Sequence, residues 1–530
     1  MSIVNDKNKS NDLISKNAAQ KLTKQIKNHL NEYKQLQVQI KQSNPKYANL
    51  KYPEPLKLPQ IQQQLDKDSL LLQYSLGDDR SYLWLVSSNS LDVYELPKKS
   101  EIEKASINLF CLISQNSSKP PDATGKENPC ENTENIKTRR IDLAAEELSK
   151  LAIAPVKDKL GKKRLIVVAD GALQYIPFAA LADLTPNSLP KAGNGEKEKD
   201  KLPFPRRRGA GGEVTPERGI DVTPNPASGN SFNYQPLLVN HEIINLPSAS
   251  TIAIQRQQLA NRKQAPLTLA ILADPVFSVT DERVIKQAEN KQLNNQSSLD
   301  LELERSALKR SADTFNRQGW AQLGGTRREA EKLLQLVPDS DRSAVFDFDA
   351  NYNWATGNAL NQFRILHFAT HGFVNDENPE LSGIVLSLVD KQGKDIRGYL
   401  RLGDLFNLDY PADLIVLSAC ETGLGKDIRG EGLVGLTRGL MYAGAERLVV
   451  SLWQVDDRGT SVFMQEFYKE MLQNGKSASV ALRATQLKMW NQEKWRNPNY
   501  WAAFAFLGEW KETRRQGDKG EEVDLKYDLT

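Results

Sequence analysis

Cysteine is scarce in this chain. Only Cys111, Cys130 and Cys420 occur in 530 residues, and no two are close-spaced. That spacing excludes a zinc-binding cluster, gives no basis for a disulfide framework, and points to a reducing, cytoplasmic setting. No apolar run approaches the roughly 18 residues needed to cross a bilayer. The opening Met1-Ser2-Ile3-Val4-Asn5-Asp6 has no apolar signal core, so a soluble intracellular protein with no membrane partner is expected. Charge of one sign is not in excess either: 70 Lys and Arg against 67 Asp and Glu leave +3. Whole-chain electrostatics therefore recruit neither nucleic acid nor a membrane surface. Hydrophobic residues make up 39%, a slightly low share that traces to polar insertions rather than to a weak core.

What is present is concentrated between Asn361 and Gly423. Two apolar runs lie there, Phe363 to Thr370 and Leu414 to Ala419, and each is followed by a residue suited to nucleophilic chemistry. The first run meets His371-Gly372; the second meets Cys420-Glu421-Thr422-Gly423. Short aliphatic and β-branched runs closed by glycine read as strands buried on both faces, the kind found in parallel sheets. Ligands of such sheets sit beyond the carboxyl ends of the strands, and His371 and Cys420 both fall at that end. A thiol needs an activating neighbour at neutral pH. His371 supplies one, and the N–H groups of Gly372 and Cys420 supply an oxyanion hole for an acyl intermediate. Taken singly, His371 reads as a hydrogen-bonded structural residue and Cys420 as a small buried hydrophobe. Together they read as a catalytic pair. His367, four residues earlier inside the run, reads as a core or supporting histidine.

The motifs His367-Phe-Ala-Thr-His-Gly372, Leu417-Ser-Ala-Cys-Glu-Thr-Gly423, Arg429-Gly-Glu-Gly-Leu-Val-Gly-Leu-Thr-Arg438 and Ser451-Leu-Trp-Gln-Val-Asp-Asp457 resemble those of CHAT domains. These are caspase-like and separase-like cysteine peptidases of bacteria, often carried behind tetratricopeptide repeats. The resemblance runs with interruptions from about residue 60 to 510. The separation of about 50 residues between His371 and Cys420 matches caspases. The resemblance implies an α/β, caspase–hemoglobinase-like, doubly wound and mostly parallel sheet, with Cys420 as nucleophile and His371 as its partner. It also implies a cysteine endopeptidase with a protein substrate and no cofactor or metal. A catalytically silent or gated signalling scaffold on the same fold, and a nucleic-acid-triggered effector, are the rival readings.

Along the chain, residues 1–55 form a polar extension in which Leu22, Ile26, Leu30 and Tyr33 make one amphipathic helical stripe. That helix docks on the body or serves as an arm for a partner protein. Residues 56–240 read as a mixed α/β half: strands at 70–76, 81–86 and 90–96 around a Gly77-Asp78 turn, helices, then a strand at 164–169. In separase-like relatives such a half is an inactive pseudo-peptidase. Insertions near 115–138 and 187–235 have the composition of disorder. The second carries Arg206-Arg207-Arg208, a solvated linker or a self-cleavage site, since separase-like relatives often prefer a basic residue before the cut. Residues 241–510 read as the catalytic half and 511–530 as a charged disordered tail. In the catalytic half, 267–273, 383–389, 447–453 and 500–507 read as strands, and helices are expected from Thr326, Glu431 and Thr460. Thr326 with Glu329 has capping-box spacing, and Ser248 or Ser250 can cap a helix to Gln258. Gly324-Gly325-Thr326 follows no strand and lacks the ending of a phosphate loop. A basic residue before the cut needs a carboxylate in the specificity pocket. The candidates are Asp274, Asp456 and Asp457, the last two competing with helix capping.

Overall fold

The computed structural model describes residues 55–114, 130, 140–185, 234–260, 262–284, 320–374, 382–422, 431–453 and 455–511. Of residues 373–374, 419–422 and 431–434 it describes the backbone alone. The amphipathic stripe at 22–33, both long insertions apart from Cys130, Tyr234 and Gln235, the Arg206–Arg208 run and the tail beyond Lys511 lie outside the described residues.

One mixed, mostly parallel sheet of 13 strands runs through the described chain, in the order β10-β9-β8-β11-β12-β13-β5-β4-β1-β2-β3 with β6 and then β7 joined to β8. The first part begins with β1 (Ser69–Ser75), β2 (Ser81–Val86) and β3 (Leu91–Leu96), an antiparallel meander. Gly77 lies in the first turn, where any Cβ would run into the Arg80 carbonyl. β4 (Arg164–Val168) pairs parallel with β1, and its aliphatic run is buried as an interior strand requires. β5 (Ile243–Asn245) pairs parallel with β4 on one side and β13 (Phe504–Gly508) on the other, so the sheet continues from the first half of the chain into the second.

In the second half, β6 (Leu267–Pro275), β8 (Phe363–Val374), β11 (Leu414–Thr422) and β12 (Arg447–Ser451) are parallel neighbours, with β7 (Arg342–Asp347) outside β6. β9 (Gly383–Val385) and β10 (Tyr399–Arg401) finish that edge antiparallel. Among the helices, α1 (Leu58–Gln64), α2 (Lys99–Ser114) and α3 (Ile141–Ala152) belong to the first half. They are followed by α4 (Ala249–Leu259), α5 (Gly324–Leu334), α6 (Leu402–Leu405), α7 (Glu431–Tyr442), α8 (Asp457–Leu472) and α9 (Ala478–Trp490). α7 lies so close to α6 that a side chain at Gly439 would meet Leu402 and Leu405.

Several details differ from the sequence reading. Cys111, on α2, and Cys130 form a disulfide with Cα atoms 5.6 Å apart, against the expected absence of one. Their separation of 19 hid the pair, because only close spacings are legible in sequence. Disulfides persist in oxidising compartments, so the cysteine pattern no longer argues for a reducing cytosol. No helix among the described residues is long and apolar enough to cross a membrane. The last strand starts at Phe504 rather than Tyr500, because Asn497 caps a helical turn at Pro498–Trp501. The run from Gly383 is a strand only to Val385. Ser248 does cap α4, accepting from the Thr251 N–H at 3.1 Å. The capping box at α5 does not form: Thr326 Oγ1 donates to the Leu323 carbonyl at 2.8 Å, and Glu329 turns inward.

Candidate active site

His371 and Cys420 come from neighbouring parallel strands, β8 and β11. Neither residue ends its strand: β8 continues to Val374 and β11 to Thr422, paired with each other beyond the two residues. The register runs Leu417 opposite Phe368, then Ala419 opposite His371 and Cys420 opposite Gly372. β8 therefore carries one extra residue between Phe368 and His371, a bulge of the kind that re-aims side chains beside functional sites. Without it His371 would stand directly opposite Cys420; with it the two are diagonal neighbours, their Cα atoms roughly 6 Å apart by strand spacing and rise. Gly372 is flanked on its other side by Ile384 of β9.

His371 is 3% exposed. Its ring lies between Phe277 and Trp320, with centroids 5.1 and 5.3 Å away. Its Nε2 is 2.7 Å from the Ala321 carbonyl oxygen. A carbonyl only accepts, so Nε2 carries the proton and Nδ1 is the basic nitrogen. Phe277 follows β6, while Trp320 and Ala321 lead into α5 (Gly324–Leu334), so three separate stretches of chain fix one imidazole.

A cluster of charges stands at the ends of β6 and β7. Asp274 is buried and accepts from Arg327 Nε at 3.0 Å and Gln322 Nε2 at 3.1 Å, and Arg283 Nη1 pairs with it at 3.1 Å. Arg283 also reaches Asp281 and Asp347, both at 2.7 Å, and Arg327 reaches Asp347 at 2.6 Å. Hydrogen bonding to Arg283 holds the Asp281 carboxyl below its ordinary range. Burial pushes Asp347 upward, but Arg327 and Arg283 outweigh it and hold that carboxyl low as well. Asp274 and Asp347 have φ of +50° and +52°, a left-handed conformation that aspartate tolerates better than most residues.

Of the three carboxylates considered for a basic specificity pocket, Asp274 thus already has arginine partners. Asp456 is the N-cap of α8 and accepts from the Gly459 N–H at 2.9 Å. Asp457 is exposed, with its side chain packed over Gly325 at the start of α5. Sequence reasoning passed over Phe277, Trp320 and the two arginines. Trp320 sits against a polar stretch, where an isolated large aromatic was the available signal. The arginines gave none, since a charged residue beside Asp281 or at the start of a helix reads as solvated surface until Asp274 and Asp347 are seen to converge on it.

The geometry defines an α/β protein whose mixed, mostly parallel sheet brings a histidine and a cysteine together on adjacent central strands. The family model described as CHAT domain matches residues 215–509, more than half of the chain, and the chain belongs to that family. Tetratricopeptide repeat protein 28 of Homo sapiens is 32% identical over 109 residues, and that of Mus musculus is 33% identical over the same length. Those stretches cover 21% of this chain and 4% of either relative. Among solved structures, the separase–securin complex of Saccharomyces cerevisiae aligns over 84% of this chain and 30% of that chain, at 10% identity and a TM-score of 0.41. The Arg-specific cysteine proteinase gingipain R aligns over 51% and 54%, at 11% identity and a TM-score of 0.29.

Proposed function

We propose that this chain is a cysteine endopeptidase in which Cys420 is the nucleophile and His371 the general base. The observation that carries the reading is the parallel pairing that sets Cys420 opposite Gly372, the residue next to His371. In the proposed reaction, His371 Nδ1 accepts the thiol proton while Nε2–H stays on the Ala321 carbonyl. The thiolate adds to the substrate carbonyl, and the N–H groups of Gly372 and Cys420 stabilise the oxyanion. Collapse of the adduct passes the proton from the imidazolium to the leaving amine. Water then hydrolyses the thioester with His371 again as base.

Of the three candidates Asp457 is left to meet a basic residue before the cut, since Asp274 is held by arginines and Asp456 caps α8, and cleavage after Arg208 would be self-processing. The burial of His371, at 3% exposure, favours a gated enzyme over one open to every chain. The test is an unbiased search for new protein N-termini that arise with the wild type and vanish with Cys420→Ala, alongside labelling of Cys420 by a peptidyl electrophile. His371-dependent labelling and Cys420-dependent fragments are expected. Identical fragment sets and no labelling would leave only a scaffold.

A further inference from the structure

Four residues before His371, on the same strand, stands a second histidine with a partner at each ring nitrogen. His367 is 1% exposed and is bonded at both nitrogens. Nε2 is 2.8 Å from Glu329 Oε1 on α5, and Nδ1 is 2.9 Å from the Tyr468 hydroxyl on α8. Burial, with the charge of Glu329 adding to it, pushes the Tyr468 hydroxyl well above its ordinary range, so it keeps its proton. A carboxylate accepts, so His367 donates through Nε2–H to Glu329, while its Nδ1 pairs with the Tyr468 hydroxyl. A buried carboxylate aimed at a single histidine is expensive to desolvate, and such groups persist in cores where they fix a geometry rather than add stability.

The geometry here is a double clamp between β8 and the chain around α5. Glu329, in the second turn of that helix, grips His367; Ala321, three residues ahead of it, grips His371 through its carbonyl. Glu329 also borders a hollow of about 20 Å³ shared with Thr326, Asp457, Thr460 and Ser418. Ser418 Oγ is buried there with no hydrogen-bond partner, two residues before Cys420 on β11. The hollow has the volume of one water and a largely polar lining, and it brings the carboxylate and the nucleophile's own strand to one space.

We infer that Glu329 and His367 are a positioning pair for the Cys420–His371 dyad: they lock α5 against β8 so that the Ala321 carbonyl keeps His371 in the tautomer with Nδ1 basic. The inference rests on the peptidase reading above. Neither residue touches a substrate; both act through the place they give His371. The groups facing Glu329 are His367 from β8, Tyr468 and Asp457 from α8, and Thr326 from its own helix.

The test is the pH profile of Cys420 alkylation by iodoacetamide, followed by mass spectrometry without reductant, which needs no known substrate. Wild type, Glu329→Gln, Glu329→Ala and His371→Ala are compared, with a melting curve for each. In the wild type, alkylation should persist well below the inflection of about 8.5 expected of an ordinary thiol. Glu329→Gln keeps the shape and one hydrogen bond, and should lower the rate at pH 6.5 by about 10-fold and move the inflection upward. Glu329→Ala should go further, toward the His371→Ala profile. Glu329→Gln with the wild-type profile, whatever its melting temperature, overturns the positioning role while leaving the dyad intact. If wild type and His371→Ala share the ordinary thiol profile, the dyad itself falls and this inference with it.

Discussion

Replacing Asp274 by asparagine should cost stability and leave cleavage preference alone. The carboxylate is 3% exposed and receives donors from Arg327, Gln322 and Arg283 within 3.0 to 3.1 Å. Hydrogen bonds to charged groups contribute about 1.5–3 kcal/mol each. Asparagine keeps one acceptor oxygen but turns an amide donor toward a guanidinium. Breaking a buried pair outright costs about 3–5 kcal/mol. Here both arginines retain Asp347, and Arg283 also retains Asp281, so the loss should fall to about 2–3 kcal/mol. Asparagine tolerates the left-handed backbone at this position, so no added strain confuses the reading. Urea unfolding of the two proteins measures the cost, and reporter peptides ending in Arg, Lys or Asp measure the preference. A loss under about 0.5 kcal/mol, within the scatter of ordinary surface changes, together with a changed preference would make Asp274 a specificity residue and refute the structural role.

Acid should destabilise the protein in two stages. Burial holds the His241 imidazole below its ordinary value of 6.5, and its Nδ1 faces the Lys163 carbonyl at 2.8 Å. A histidine whose folded pKa is depressed contributes stability that is full above 6.5 and is lost as pH falls through the folded value. Asp281 and Asp347, both held below their ordinary 3.8, contribute stability that is full above that value and is lost as pH falls further. Melting temperature against pH should therefore decline first below 6.5, and His241→Asn should flatten that first stage only; an unchanged first stage refutes the assignment. Reducing the Cys111–Cys130 bond, or Cys130→Ser, should cost about 3 kcal/mol by the loop-closure argument. Urea midpoints with and without reductant check it, and coincident curves would refute the bond.

The sequence made the central strands legible because their chemistry is local. Leu165 to Val168, Leu269 to Ala273 and Leu414 to Leu417 are aliphatic runs that only a sheet buried on both faces accommodates. That His371 and Cys420 each belong to a strand of one parallel sheet was legible for the same reason; that the two strands are neighbours, and run on past both residues, was not. The bulge in β8 was not, because an extra residue is defined only against the partner strand. Glu329 shows the limit most clearly. Its spacing from Thr326 suits a capping box, and nothing local distinguishes that from a carboxylate turned inward. The deciding partner, His367, is 38 residues away. The disulfide was hidden by distance in the same way. β5 was hidden because three residues with an asparagine among them carry almost no strand pattern.

The short strand β5 settles how a cut near Arg208 would behave. It follows the cut in sequence yet pairs with β4, which precedes it, through Leu165 to Ile243, Ile166 to Ile244 and Val167 to Asn245. More contacts cross the same divide. Asn499 Nδ2 donates to the Ile113 carbonyl at 2.9 Å. Phe110 meets Trp453 edge-on at 5.9 Å, and Trp510 Nε1 donates to Asp66 at 3.1 Å. Neither piece could leave without stripping an interior strand of its partners and exposing apolar faces on both sides, a penalty far above that of a severed linker. A protein nicked in the 187–235 segment should therefore give two bands on a denaturing gel and one peak at the intact size in native chromatography. Separation of the fragments under native conditions would mean that the two halves do not share this sheet, and the continuity that brings β4, β5 and β13 together would have to be abandoned.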